Sequence, residues 1–315
     1  MNPVDALKNE LREITDLKGA VELMHWDMET YMPPGGAKAR ARQVAMLEAL
    51  AHERFIGEGV SKPLGELVDL DSGEPFNGAD DETNRLVKEI WKDYHRAAAL
   101  PTEFVEEMSQ TTSLAQPVWV EARKKNNFNM FALHLEKIIS LKYKEIEYLG
   151  IKGTPYDTLL DEYEPGVTTA DIDVLFGALK KELVPMVKAI SDSGIDTQQE
   201  ILLQYYDPRK QWEFSELILK EMHYDFNCGR QDKAAHPFST SFHPTDARVT
   251  TRVNDNNLMY CLSSSIHEGG HALYEQGLDQ EWYGTPFCEA ISYGIHESQA
   301  RLWENLVGLS KPFWE

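Results

Sequence analysis

Apolar residues recur at intervals of three and four along most of this chain, a pattern typical of amphipathic helices. The Pro and Gly residues at 33–36 end the first predicted helix, and a second runs from about 37 to 52. The same periodicity predicts helices at about 80–99, 102–125, 129–149, 169–190, 196–206 and 211–223. In the first helix, over residues 3–30, the apolar positions are Leu7, Leu11, Ile14, Leu17, Val21 and Met24.

The pattern changes near residue 236, where polar and apolar residues begin to alternate. Two alternating segments, 236–242 and 247–253, flank a turn-forming His-Pro-Thr-Asp sequence, which predicts a β-hairpin. Helical periodicity returns over about 257–276, is stopped by a glycine, and returns again over about 289–306. We therefore predict a mainly α fold with a small hairpin or sheet beside the helix at 257–276.

Hydrophobic residues make up 42% of the 315 positions, which is enough to bury a substantial core. The chain shows no repeat of fixed period, low-complexity segment or flexible linker. A single helical domain over 1–315 is therefore the simplest organisation, with N-terminal helices over 1–206 and the region of candidate chemistry over 207–315.

The chain is strongly acidic, since 31 Lys and Arg residues against 52 Asp and Glu residues give a formal charge of −21. A field of that sign repels nucleic acid and anionic membranes, and the sequence contains no run of about 18 apolar residues. We therefore expect neither nucleic-acid nor membrane partners. Within the acidic stretch at 66–82, residues 69–74 faintly resemble a calcium loop, but the glycine comes one position too early, so we interpret this segment as a surface loop.

Three isolated cysteines, Cys228, Cys261 and Cys288, show no pairing motif. A sparse, odd set is typical of proteins from a reducing compartment. The N-terminus is charged and amphipathic and has no apolar signal core. We expect a cytoplasmic protein in which Cys288 is a small buried residue.

The helix predicted at 257–276 contains His267, Glu268 and His271 in the pattern H-E-x-x-H. Residues four apart lie on one helix face, so the two histidines can hold one metal ion. Glu268 lies beside them, where it can accept a proton from the attacking water. The motif also arises by chance, but the apolar residues that flank it favour ligands over idle side chains.

Two glycines, Gly269 and Gly270, follow Glu268 inside this helix. Each costs about 1 kcal/mol relative to alanine in a helix interior. This cost predicts that another element, or the backbone of a substrate, approaches the helix closely at these positions.

A catalytic zinc site needs a third protein ligand, and spacing alone does not separate the candidates Glu289, Glu297, Glu304 and His296. We prefer Glu297 because it lies inside the periodic part of the predicted helix. Glu289 lies at the mouth of that helix, where it can serve the N-terminal dipole. His296 then faces elsewhere, towards the ligands or the core.

Four motifs occur in order along the chain: His-Pro-Phe at 236–238, D-x-R-x-T at 246–250, H-E-x-x-H at 267–271, and His-Glu-Ser-Gln at 296–299. In these motifs, and in the segment at 26–36, the chain resembles the carboxypeptidase Taq family over its whole length. The resemblance implies a helical metallopeptidase fold and hydrolysis of the C-terminal peptide bond of peptides, releasing single amino acids. It also implies one divalent ion, zinc or cobalt, and a homodimer.

The resemblance implies His267, His271 and Glu297 as metal ligands and Glu268 as the general base. It also points to substrate binding by the motif residues His236, Asp246, Arg248 and Thr250. We expect the strand carrying Arg248 and Thr250 to receive the peptide as an added strand. The alternative, an Asp246–Arg248 pair that only holds the turn, is about equally favoured.

Two further patterns of the family, I-R-x-x-A-D and G-x-x-Q-D-x-H-W, do not occur in this sequence. We therefore expect this chain to correspond to the front portion of such an enzyme, with weak or no carboxypeptidase activity by itself and an apolar, metal-bearing surface open to a partner chain. Its own candidates for binding a substrate carboxylate are Arg248, Arg252 and Arg301.

Two other functions remain as alternatives. One is a non-catalytic helical metal-binding fragment that needs a second chain, and Glu268 argues against it because a structural metal site needs no base. The other is an aminopeptidase or endopeptidase, against which the four ordered motifs argue.

Overall fold

The computed structural model describes residues 2–315 except positions 77 and 197. Helices dominate the described residues, and a small sheet lies in the C-terminal third. The strands are β1 (Gln231–Lys233), β2 (Ser239–His243) and β3 (Asp246–Thr251). The helices are α1 (Pro3–Thr30), α2 (Ala37–Ile56), α3 (Glu58–Gly65), α4 (Asp81–Ala98), α5 (Thr102–Lys124), α6 (Asn129–Leu149), α7 (Pro155–Leu160), α8 (Thr169–Asp192), α9 (Glu200–Leu203), α10 (Pro208–Glu221), α11 (Leu258–Gln276), α12 (Tyr293–Arg301) and α13 (Lys311–Trp314).

Helix α1 begins where its own sequence supplies a cap, because the Asn2 side chain accepts a hydrogen bond from the Val4 amide. Its predicted apolar face is buried at Leu7, Leu11 and Ile14, which pack with residues of α3 and α4 in a first apolar cluster. Full burial of such a side chain contributes about 1.5–3 kcal/mol. This cluster anchors the N-terminal half of α1, while its C-terminal half continues towards β2.

The three strands form one sheet in the order β1–β3–β2. β2 pairs antiparallel with β3, as the predicted hairpin requires, and β1 pairs parallel with β3. The sequence did not predict β1, which has only three residues and no turn joining it to its partner. Because β1 and β2 already occupy both edges of β3, our expectation that the strand of Arg248 and Thr250 receives the peptide is wrong. β2 is an outer strand of the sheet, and α1 packs against it.

Helix α11 packs against β3, α10 and α12. Leu262 and Ile266 of α11 are buried in a second apolar cluster with Leu219 of α10 and Val249 of β3. This cluster joins the sheet to the helix that carries the H-E-x-x-H residues, so it fixes the position of that helix.

Helix α8 has a different environment, since none of its residues is buried. Its start is fixed locally by a capping box, in which Thr168 and Asp171 each accept a hydrogen bond from the other's backbone amide. Its apolar residues, including Val174, Leu175 and Val187, are exposed. Among the described residues, no helix combines the length and apolar character that crossing a bilayer requires.

The mainly α prediction is confirmed, and most predicted helices are present within a few residues. The helix predicted at 196–206 is shorter, since α9 covers only Glu200–Leu203 and position 197 lies outside the described residues. The acidic stretch at 66–82 is a loop up to the start of α4, again with position 77 outside the described residues. The short helices α3 and α7 were not predicted.

The helix predicted at 289–306 begins later than expected. A 3-10 turn, Pro286–Cys288, precedes it, and α12 starts after Ser292, whose side chain accepts a hydrogen bond from the Ile295 amide. A π-helical turn, Leu302–Val307, then continues α12 directly. Because α12 begins only after Ser292, Glu297 lies on this helix and Glu289 lies before it.

Candidate metal centre and active site

The two glycines of α11 lie where two other helices approach most closely. A Cβ atom on Gly269 would lie 2.5 Å from Cδ2 of Leu219 in α10, and one on Gly270 would lie 2.7 Å from Cα of Ala300 in α12. Both distances are below van der Waals contact. The predicted close approach is therefore made by helices on both sides, and Gly270 brings α11 against the backbone of the helix that carries Glu297.

The side chains of His267, His271 and Glu297 converge at this contact between α11 and α12. Oε2 of Glu297 lies 3.2 Å from Nε2 of His271 and 3.6 Å from Nε2 of His267. One donor atom from each residue lies within 4.8 Å of the other two. The structure thus brings together the three residues that the sequence proposed as ligands.

Glu304, another candidate ligand, lies behind His267. Its carboxylate accepts hydrogen bonds from Nδ1 of His267 at 2.9 Å and from Oγ of Ser263 at 2.7 Å. Burial opposes ionisation, but these hydrogen bonds outweigh it and lower the pKa of Glu304. An ionised Glu304 places the His267 proton on Nδ1 and leaves Nε2 free to face Glu297.

Glu289 and His296, the other two candidates, have different surroundings. Glu289 lies in extended backbone before the Ser292 cap, so our interpretation of it as a residue serving the helix N-terminus is wrong. The His296 ring lies against that of His271, with 4.4 Å between centroids, and its Nε2 is 3.1 Å from Oε1 of Glu275. His296 therefore contacts a candidate ligand without joining the three donor atoms.

Glu268 is buried, with 7% of its surface exposed. Desolvation, followed by the nearby charge of Glu297, raises the pKa of Glu268 to about 8, while a hydrogen bond with Ser239 acts in the opposite direction. The carboxyl of Glu268 is thus close enough to Glu297 to be affected by its charge, and it lies near Ser239 of β2.

The donor atoms fit a divalent cation. Two imidazole nitrogens and one carboxylate oxygen form a common donor set of catalytic zinc sites, and ligands about 2.0–2.1 Å from a tetrahedral zinc lie about 3.3 Å apart. Burial and the neighbouring His296 and His267 lower the pKa of His271 to about 4, so its ring is in the neutral form that binds metals. Nδ1 of His271 is also buried without a hydrogen-bond partner in the described part of the chain.

The residues predicted to bind substrate lie along the sheet and mainly support one another. Arg248 donates two hydrogen bonds of 2.8 Å to Asp246 and stacks 4.5 Å above the Trp26 ring. Thr250 is fully buried, and its hydroxyl bonds to both backbone groups of Phe238. These contacts agree with the alternative in which Asp246 and Arg248 hold the turn. A role in substrate binding stays a prediction.

A groove of about 430 Å³ opens beside these residues. His236 lies in its wall, 6.4 Å from the Trp119 ring, and Ser239 connects it to Glu268. Sequence reasoning missed the contribution of α5 and part of that of α1, of which only Trp26, Met28 and Glu29 lie in the segment at 26–36 that resembles the family. The lining residues are Glu22, His25, Trp26, Met28, Glu29, Thr112, Ser113, Gln116, Trp119, His236, Phe238, Ser239 and Thr240.

The chain is similar in sequence to proteins that are named as carboxypeptidases. Carboxypeptidase 1 of Bacillus subtilis is 36% identical over 304 residues, covering 96% of this chain and 60% of the relative. Thermostable carboxypeptidase 1 of Thermus thermophilus is 38% identical over 331 residues, covering 100% of this chain and 64% of the relative. The chain therefore spans less than two thirds of the length of these relatives.

The chain is also similar in structure to solved proteins over nearly its whole length. The crystal structure of BsuCP superposes with a TM-score of 0.94 at 33% identity, over 100% of this chain and 62% of that one. The M32 carboxypeptidase from Deinococcus radiodurans R1 superposes with a TM-score of 0.86 at 36% identity, with the same coverage. The family model described as carboxypeptidase Taq (M32) metallopeptidase matches residues 6–315. The chain belongs to the carboxypeptidase Taq (M32) metallopeptidase family.

Proposed function

We propose that this chain carries the catalytic centre of a metal-dependent carboxypeptidase, which hydrolyses the last peptide bond of a peptide and releases one amino acid. The observation that carries the proposal is the convergence of His267, His271 and Glu297 with the buried carboxyl of Glu268 beside them. The names of the relatives support the reaction class.

Each residue of the centre has a separate task in this mechanism. His267, His271 and Glu297 would hold a divalent cation, which would supply Lewis-acid polarisation and would lower the pKa of a water towards about 7. Glu268, held by Ser239, accepts the proton of the attacking water and passes it to the leaving amine. Glu304 fixes the His267 ring so that Nε2 faces the other donor atoms.

The substrate main chain binds along β2 in this proposal. β2 pairs with β3 on one side and with no other strand of the described residues. Ser239 lies in this strand and contacts Glu268, so a peptide added to the strand passes beside the base.

The proposal is tested by metal analysis and by an end-specific assay. We expect one divalent ion per chain in the parent and loss of stoichiometric metal in His271→Ala, because one of three donor atoms is removed. The parent should release the last amino acid from an N-blocked dipeptide and leave the same peptide with an amidated C-terminus intact. Cleavage of the amidated peptide would instead indicate an endopeptidase, and bound metal without any hydrolysis would indicate the non-catalytic fragment.

Three finer properties belong to the same proposal. We infer that the ion is zinc or cobalt, since the donor set suits either metal. Three free cysteines support a reducing, cytoplasmic location. The homodimer implied by family resemblance is tested by light scattering of the purified chain.

A further inference from the structure

Helix α12, which carries Glu297, is buried only near its C-terminal end. Among its nine residues only Ala300 is buried, and the close approach of Gly270 is to this same residue. The first turn is open to solvent, since Tyr293 is 67% exposed and Ile295 is 52% exposed. A helix of nine residues has little stability by itself in water. Contacts from elsewhere must therefore set the direction in which α12 begins.

A distant loop supplies such contacts. Residues 161–168 join α7 to α8 and form what we call the α7–α8 loop. The Tyr293 amide donates a hydrogen bond to the carbonyl oxygen of Tyr163 at 3.0 Å, and the Gly294 amide donates one to Oε2 of Glu164 at 2.9 Å. The rings of Tyr163 and Tyr293 also pack edge to face, with 4.8 Å between centroids. The loop therefore contacts both the backbone and a side chain of the first turn.

These two hydrogen bonds complete the start of α12. The first amides of any helix have no partner within it. In α12 the side chain of Ser292 accepts from the Ile295 amide, and the α7–α8 loop accepts from the two amides before it. A carboxylate at this end of a helix also interacts favourably with the helix dipole. Glu164 thus stabilises the first turn although it lies 130 residues from Gly294 along the chain.

Gly294 is the residue that lets the carboxylate approach. A Cβ atom at this position would lie 2.6 Å from Oε2 of Glu164, and the next two nearest atoms belong to the same carboxyl group. Glycine costs about 1 kcal/mol relative to alanine inside a helix. Its presence at 294 is explained by the contact with Glu164, because any side chain there would displace that carboxylate.

The α7–α8 loop is itself held at both ends, so it can act as a support. Oδ1 of Asp157 in α7 accepts a hydrogen bond from the Thr169 amide at the start of α8, at 2.6 Å. Oδ1 of Asp161 accepts one from the Gly166 amide at 2.9 Å, which closes the loop around Glu164. The place of Glu164 is therefore set by contacts of the loop with its own flanking helices.

We propose that Glu164 is a positioning residue for the metal centre. By accepting the hydrogen bond of the Gly294 amide, it sets the first turn of α12 and thereby the place of Glu297, which lies one turn further along. The inference rests on the proposed metal centre and adds to it a residue from outside the three ligands and the base.

The zinc affinity of the purified chain tests this role, measured by isothermal titration. Glu164→Ala should weaken zinc binding by about tenfold, as loss of supporting hydrogen bonds does at other metal sites. Glu164→Gln should stay within about threefold of the parent, because its amide oxygen accepts the same hydrogen bond without the charge. The visible spectrum of the cobalt-loaded protein responds to the arrangement of the donor atoms. It should change in the alanine variant and return to the parent form in the glutamine variant.

A double-mutant cycle at the contact separates positioning from a general loss of structure. Gly294→Ala alone should weaken zinc binding, because the new methyl group displaces the Glu164 carboxylate. In the Glu164→Ala background the same change should have no further effect, since the atoms nearest to the new methyl group are gone. Additive losses would overturn the inference.

Glu162→Ala is the matched control. It removes a charge from the same loop, but its carboxylate pairs with Arg96 at the protein surface and not with α12. Exposed ion pairs of this kind contribute little, so the zinc affinity should equal that of the parent. An unchanged affinity in Glu164→Ala, or equal losses in the two alanine variants, would refute the role of Glu164.

If the parent binds no zinc, the proposed function fails separately from this inference. Amide hydrogen exchange of the metal-free protein then decides. Glu164→Ala should speed exchange over residues 293–297 by about tenfold and leave α11 at the parent rate. Equal rates over 293–297 in the variant and the parent would show that Glu164 does not hold α12.

Discussion

Helices α11 and α8 begin from similar sequence patterns and have opposite surroundings. Both have an apolar face at helical spacing and a side-chain cap at the first turn. In α11 residues such as Leu262 and Ile266 are almost completely buried, whereas in α8 Leu175 is 64% exposed and no residue is buried. The periodic pattern thus specifies a helix and its apolar face, and it does not specify what covers that face.

The candidate metal ligands His267 and His271 and the candidate base Glu268 lie on α11, against which other elements pack. α10, α12 and the β2–β3 hairpin pack against α11, so Glu297 of α12 lies beside its histidines and Ser239 of β2 lies near Glu268. Burial also shifts the pKa values of Glu268 and His271, and a solvated helix such as α8 would leave comparable groups near their ordinary values. The same kind of substitution should therefore have different effects in the two helices.

The largest expected effect comes from removing the base. Glu268→Gln should lower kcat by about 10²–10⁴-fold while the metal content stays at the parent value, because the residue transfers a proton and donates no ligand atom. Glu182→Gln makes the same change on the exposed α8 and should leave kcat unaltered. Loss of metal from the Glu268 variant would show that this carboxylate is a ligand.

Replacing a leucine by alanine should lower the free energy of unfolding much more in α11 than in α8. Leu262→Ala removes a fully buried side chain from the second apolar cluster and should lower the free energy of unfolding by about 2–5 kcal/mol. Leu175→Ala in α8 should change it by no more than about 0.5 kcal/mol. Urea titration followed by circular dichroism measures both values, and equal losses would contradict the difference in burial.

Gly270→Ala should destabilise the fold for a steric reason. The new Cβ would lie 2.7 Å from Cα of Ala300 and 3.0 Å from the Gln299 carbonyl oxygen, so α12 must shift. We expect a loss of about 1–3 kcal/mol in the free energy of unfolding. Metal affinity should fall as well, because Glu297 moves with α12. Isothermal titration with zinc checks the second effect, and unchanged affinity would show that the site tolerates the shift.

The smallest expected effect is a gain in stability. A Cβ added at Gly177 of α8 meets no atom within 4 Å, so Gly177→Ala costs no packing. Alanine favours the helix over glycine by about 0.8–1.0 kcal/mol, and the melting temperature should rise slightly. A decrease would mean that α8 is covered at this position, which would remove the contrast with α11.

The sequence by itself determined much of this protein because the relevant interactions are local. Periodicity placed α1, α8 and α11, since helix formation depends on neighbours three and four residues apart. The alternation around a Pro-containing turn placed β2 and β3. The four-residue spacing of His267 and His271 was enough to put both rings on one helix turn.

Only the tertiary structure decided the features that depend on distant segments. It brought Glu297 to the two histidines, placed Glu304 behind His267, and left Glu289 in extended backbone before the Ser292 cap. It also paired β1 with β3, which closed the edge that we had assigned to the substrate. Glu164 lies 130 residues from Gly294 along the chain, and no local pattern relates them. Their contact results from the packing of the α7–α8 loop against α12, because close packing can join residues that have no relation in sequence.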